Sequence, residues 1–120
     1  MKVGNLVKVL PTLDVDSNFK EAAELFKHSD SDTAVVLENQ KPVGIFSAFE
    51  ALEKKVEGAK LKDHQIKQSM NHNILIIPAD TDATDAAKTM LTHKHWIAVV
   101  TEKGEYRGVV TAGDLVKVLI

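Results

Sequence analysis

"GVVTAGD", Gly108 to Asp114, is the stretch on which the fold turns. A glycine and two valines suit the end of a buried strand, and the residues after the threonine suit the first turn of a helix. Thr111 and Asp114, three residues apart, can serve that helix as a cap or can hold a ligand. A counterpart, "GIFSAFE", Gly44 to Glu50, lies 64 residues earlier. Laying 16–52 over 80–116 without a gap puts Asp16 on Asp80 and Ala22-Ala23 on Ala86-Ala87. Ala34-Val35-Val36 falls on Ala98-Val99-Val100, Glu38 on Glu102, Gly44 on Gly108, Ser47 on Thr111 and Glu50 on Asp114. Chance aligns a few alanines and valines. A gapless register that also keeps a glycine, a hydroxyl and an acid marks a duplication.

Each half is expected to run β-α-β-β-α. The first strands are "VKVLPTLDV" and "NILIIPAD". Asn18 caps the following helix with Glu21 at its third position, and Asp82 with Asp85 is expected to do the same in the second half. Phe19, Ala22, Ala23 and Phe26 make one apolar helical face, and Ala83, Ala86, Ala87 and Met90 make the other. "TAVVLE" and "WIAVVTE" read as buried strands, "NQKP" and "EKGE" as turns, and "VGIFS" and "RGVVT" as return strands. Closing helices begin at Ala48 and Ala112. The connector is polar and Lys-rich, with Gly58 a helix stop, and "IKQSM" reads as a short helix leading into the second half. The expected division is one module, 1–120, with repeat one at about 5–56, the connector at about 53–68 and repeat two at about 69–120. A unit of about 50 residues buries too little apolar surface alone. The halves are therefore expected to pack sheet to sheet as an α+β (α/β-like) fold, related by a pseudo-two-fold axis with two related clefts.

Composition narrows the function. The chain has 120 residues, 44% hydrophobic and 27% charged, with a net charge of -2 and no cysteine. This excludes disulfides and thiolate metal sites and gives no support to a broad nucleic-acid surface. Apolar runs such as Ile74 to Ile77 are far too short to cross a bilayer, and "MKVGNLVKVLPTLDVDS" lacks a signal-peptide core. A soluble, cytoplasmic domain without membrane attachment is expected. No activated nucleophile and no GxxxxGK phosphate loop occur, so an enzyme is the least supported class.

The duplicated β-α-β-β-α order, the "EAAELF" and "DAAKTM" helices, the "AVV" strands and the glycine–apolar–apolar–Ser/Thr–x–x–acid endings resemble a tandem CBS-domain pair, or Bateman module. The resemblance covers about residues 5–119. It implies a regulatory binding fold that takes adenosine-containing ligands in the clefts between two repeats. The Ser/Thr hydroxyl would approach phosphate and the aspartate would accept from the ribose hydroxyls. Thr111 and Asp114 match that pattern; Ser47 matches, and Glu50 departs from it. The resemblance also places His95, at the start of a strand lining a cleft, within reach of phosphate, and it implies a homodimer paired through helices.

The chemistry is consistent with those assignments. A carboxylate can accept from both hydroxyls of a ribose, each charge-assisted bond contributing about 1.5–3 kcal/mol. A hydroxyl at a helix start lies beside unpaired N–H groups that suit phosphate. Glu50 would carry its carboxylate about 1.5 Å further, which spoils a two-point contact and makes that cleft the weaker one. Local sequence alone favours capping, since "SAFE" is a capping box and "TAGD" is close to one. Duplication and resemblance reverse the preference for Thr111 and Asp114 and leave Ser47 and Glu50 open.

Other residues are read more plainly. His93 and His95 are too few ligands for a metal site, and His28, His64 and His72 read as surface residues. Trp96 reads as a rim or dimer-surface residue rather than a purine stacker, and Arg107 as a surface residue. Opposite Lys94, His95 and Trp96 the first half has Asp30, Ser31 and Asp32, an acidic loop that would repel a phosphate chain or could hydrogen-bond an amine or a base edge. The leading expectation is a module that senses AMP, ADP, ATP or S-adenosylmethionine and signals to an effector protein. The alternative is a ligand-free dimerisation and interaction module. A different ligand, such as a cyclic dinucleotide or a metal ion, is a third reading.

Overall fold

The computed structural model describes residues 1–120. The first repeat contains β1 (Thr12–Asp14), α1 (Phe19–Lys27), β2 (Thr33–Glu38), β3 (Lys41–Ser47) and α2 (Ala48–Val56). The second contains β4 (Ile76–Pro78), α3 (Ala83–His93), β5 (Ile97–Glu102), β6 (Glu105–Thr111) and α4 (Ala112–Leu119). Each repeat is thus β-α-β-β-α and carries a mixed three-stranded sheet, in the orders β1-β2-β3 and β4-β5-β6. The first strand of each sheet pairs parallel to the second, and the second pairs antiparallel to the third.

Local chemistry accounts for these elements. The hairpins close through two residues with positive φ, Asn39 (52°) and Gln40 (69°) in one and Lys103 (54°) and Gly104 (82°) in the other. That geometry matches the right-handed twist of the flanking strands. Thr33 pairs with Ser47 as Ile97 pairs with Thr111, and the register shifts after Val36 as it does after Val100, so the duplication extends to the bulge. The Asn18 box forms: its side chain accepts from the Glu21 N–H at 2.8 Å, and Glu21 accepts from the Asn18 N–H at 3.2 Å. Its counterpart differs from the sequence expectation. Asp82 accepts from the Thr84 N–H at 3.1 Å, while its other oxygen holds the N-terminal ammonium at 3.1 Å, and Asp85 forms no box. Beyond α2, Gly58 takes φ 87°.

The chain divides into two bodies, Leu10–Asn73 and Met1–Val9 with Ile74–Ile120. The apolar run "VKVLPTLDV" is therefore split. Only Thr12–Asp14 forms a strand of the first sheet, while Lys8 pairs with Val109 in the second repeat. The "IKQSM" segment forms a 3-10 turn, Ile66–Gln68, that closes the first repeat instead of leading into the second. The two closing straps are alike. Lys8 and Val109 exchange N–H···O bonds of 3.0 and 2.9 Å, and Asn71 and Ile45 exchange bonds of 2.8 and 3.0 Å. Both glycines lie close beneath them: a Cβ on Gly108 would meet Val7 Cβ at 2.8 Å, and one on Gly44 would meet Met70 Sδ at 2.7 Å.

Each body has its own core. In the first, Phe19 meets Phe46 edge-on at 5.0 Å and Phe26 stacks on Phe46 at 6.3 Å, with Ile66 of the strap buried among them. His64, expected at the surface, is half-buried, with its ring edge-on to Phe19 at 6.1 Å. In the second, Ala83, Met90 and Val110 take the corresponding places, and Val3 and Leu115 complete the cluster. No helix is long and apolar enough to cross a membrane.

Candidate ligand site at the start of the last helix

β6 delivers Thr111 to the first turn of α4. Thr111 is the N-cap residue, held extended at φ -109°, ψ 164°. The Ala112 N–H donates to the Trp96 carbonyl at 2.9 Å, which ties the helix start to the residue before β5. Asp114 is the third residue of the helix, and the pair closes a reciprocal box. The Thr111 hydroxyl accepts from the Asp114 N–H at 3.2 Å, and Asp114 Oδ2 accepts from the Thr111 N–H at 2.9 Å. The other oxygen, Oδ1, lies 3.5 Å from Lys8 Nζ.

The Asp114 side chain keeps only 19% of its exposure. Burial pushes its pKa up, but the Thr111 N–H, the Thr111 hydroxyl and the Lys8 ammonium outweigh that and hold it below the ordinary 3.8. The carboxylate is therefore ionised at neutral pH. It offers about four lone-pair directions, and these three contacts leave about one unused. Its capacity to accept from a vicinal diol survives the cap.

The corresponding place in the first repeat is arranged differently. Glu50 Oε2 accepts from the Ser47 N–H at 2.8 Å and also from the Ser47 hydroxyl, so one oxygen takes both donors. The first strap brings no cation there, because Asn71, the partner of Ile45, turns its side chain to its own Asn73 N–H at 3.0 Å. In the acidic loop, Ser31 is committed to Thr33, donating to its carbonyl at 2.7 Å and accepting its N–H at 3.1 Å.

His95 lies next to the same strand–helix junction. Its N–H donates to the Met90 carbonyl at 2.9 Å, and its side chain lines an apolar groove between α3 and α4 with Met90, Leu91, Leu115, Val116 and Ile120. Trp96 is exposed, and Arg107 is exposed and paired with Glu102. The structure brings Thr111, Asp114 and Lys8 together. Lys8 went unnoticed in the sequence because it lies at the far end of the chain. Its one signal was Gly108, which marks a close backbone approach without saying whose.

The CBS domain family matches residues 3–57 and again residues 64–120. The chain belongs to the CBS-domain family. A relative is the uncharacterized protein MJ1232 of Methanocaldococcus jannaschii, 26% identical over 121 residues. The match takes in 99% of this chain but only 40% of the length of that relative. Among solved structures, a CBS domain-containing protein of unknown function from Bacillus anthracis superposes with a TM-score of 0.83 at 17% identity, over 99% of this chain and 92% of that one. The CBS domain of a bacterial CNNM/CorC family Mg2+ transporter, solved in complex with ATP, gives 0.80 at 20% identity, over 98% and 85%. The CBS pair of protein MJ0100, solved with 5'-methylthioadenosine and S-adenosyl-L-methionine, gives 0.73 at 16% identity, over 99% and 95%. At these identities the superpositions speak for the fold.

Proposed function

We propose that this CBS pair is a regulatory module that binds an adenosine-containing ligand, AMP, ADP, ATP or S-adenosylmethionine, at Thr111 and Asp114, and passes its state to a partner protein. The observation that carries this reading is Asp114: a largely shielded carboxylate, ionised, with acceptor capacity left beside the first turn of a helix. It is supported by similarly folded CBS structures that hold ATP and S-adenosyl-L-methionine. Asp114 accepts from the ribose hydroxyls, and the Thr111 hydroxyl at the start of α4 faces phosphate. Ser47 and Glu50 form the weaker site, since Glu50 carries its carboxylate about 1.5 Å further than an aspartate would. A ligand acts here only through its different affinities for two states of the module. Adding each of the four compounds in turn should raise the melting temperature for at least one. Asp114→Ala should remove most of that rise; equal rises in both proteins would sink the assignment.

A second reading rests on the apolar groove between α3 and α4, where Leu91, Val116, Leu119 and Ile120 stand exposed. It takes the chain as a dimerisation module that needs no ligand. Sedimentation with and without nucleotide separates the two. A dimer indifferent to every compound, with no thermal shift, favours the scaffold.

A further inference from the structure

We propose that Lys8, carried to α4 by the N-terminal strap, makes this site prefer a phosphorylated adenosine ligand to an uncharged one. This rests on the reading of Thr111 and Asp114 as the ribose and phosphate end of the site.

Three observations place Lys8 in that role. Its main chain is fixed on β6 by the paired bonds to Val109, so its side chain starts from a defined point. Its ammonium lies 3.5 Å from Asp114 Oδ1, on the oxygen that Thr111 does not use. Yet the side chain is 54% exposed, so the ammonium is restrained by one contact and can move without opening the core. A ribose arriving at Asp114 brings two new donors to the carboxylate. The ammonium then turns from Asp114 to the nearest anion, and in a nucleotide that anion is the phosphate a few bonds from the same ribose. Adenosine offers it none. Lysine suits this task because its charge is compact and its stem is flexible. The first repeat has no equivalent, because its strap places a neutral asparagine, Asn71, at the matching position. The site of the second repeat alone therefore combines a ribose acceptor, a helix start and a mobile cation.

The test is isothermal titration of AMP and adenosine into the unaltered protein, Lys8→Met, Lys8→Arg and Asp114→Ala. Methionine keeps the length of the stem and leaves the main-chain bonds to Val109 intact. The unaltered protein should prefer AMP. Lys8→Met should weaken AMP about ten-fold while changing adenosine less than about two-fold, the loss expected for one charge-assisted contact. Lys8→Arg should retain most of the AMP preference. Added salt should shrink that preference in the unaltered protein and have less effect in Lys8→Met. Unchanged AMP affinity in Lys8→Met overturns the proposal. So does an equal loss of AMP and adenosine, which would make Lys8 a support for Asp114 only. These outcomes leave the site reading standing if Asp114→Ala still abolishes binding. Binding that survives Asp114→Ala overturns both. No binding of AMP or adenosine to the unaltered protein overturns this proposal, and the site reading falls with it only if ADP, ATP and S-adenosylmethionine also give no thermal shift.

Discussion

Asp114 is a cap and a candidate acceptor at once, and its ionisation serves both. Its pKa lies below 3.8 in the folded chain, because the Thr111 N–H, the Thr111 hydroxyl and Lys8 outweigh the effect of burial. A carboxylate with a lowered folded pKa stabilises the native state at every pH above its unfolded value, and that stabilisation is lost as pH falls through the folded value. Asp114→Asn should therefore be less stable than the unaltered protein at neutral pH, and the gap should close below pH 3.8. Urea unfolding of both proteins from neutral pH down to about pH 2 reads this directly. A gap that stays constant with pH would mean that the charge on Asp114 contributes nothing to the fold. The sequence pattern already contained the Thr111–Asp114 box, because a capping box is a local signature. It did not contain Lys8, whose approach depends on a pairing between the two ends of the chain.

The straps explain a feature that the repeat alone leaves unexplained, the glycine in each return strand. Gly108 lies under Val7 Cβ and the Lys8 carbonyl, at 2.8 and 2.9 Å from where a Cβ would sit. The nearest atom over Gly44 is Met70 Sδ, with the Asn71 carbonyl at 3.1 Å. A methionine side chain swings aside more readily than a strand backbone and a β-branched Cβ. Gly108→Ala should cost about 1–3 kcal/mol, the usual penalty for overpacking, and Gly44→Ala should cost less. Denaturant midpoints of the two variants decide the order; equal costs would show that the N-terminal strap yields as easily as Met70. The order of strands, helices and turns was legible because hydrophobic period and turn residues are local. The first strand of each half was overextended for a physical reason. Apolar residues at a strap and at a buried strand look alike in sequence, and only their partners distinguish them.

At the scale of the molecule, the two bodies are built differently from the chain. Leu10–Asn73 is one continuous stretch, whereas Met1–Val9 and Ile74–Ile120 join the two chain ends in one body. A plain division into two consecutive halves would put Val3 with the first repeat, yet it is fully buried with Ile77, Ala86 and Val110. Ile66 is as fully buried with Phe19 and Phe46. Parts of a protein that open separately show it in hydrogen exchange, since each cooperative unit loses protection at its own free energy. Val3→Ala should therefore speed exchange at Val99 and Val100 of β5 more than at Val35 and Val36 of β2, although Val3 is nearer to β2 in the chain. Ile66→Ala, with a cost of about 2–5 kcal/mol, should do the reverse. Mass spectrometry of exchanged peptides from both variants distinguishes three cases. The crossed pattern assigns each strap to the body it closes. Loss of protection in β2 on truncating Val3 would restore the consecutive halves. Equal loss in both sheets would mean that the chain opens only as a whole, and that the strap's placement has no separate energetic effect.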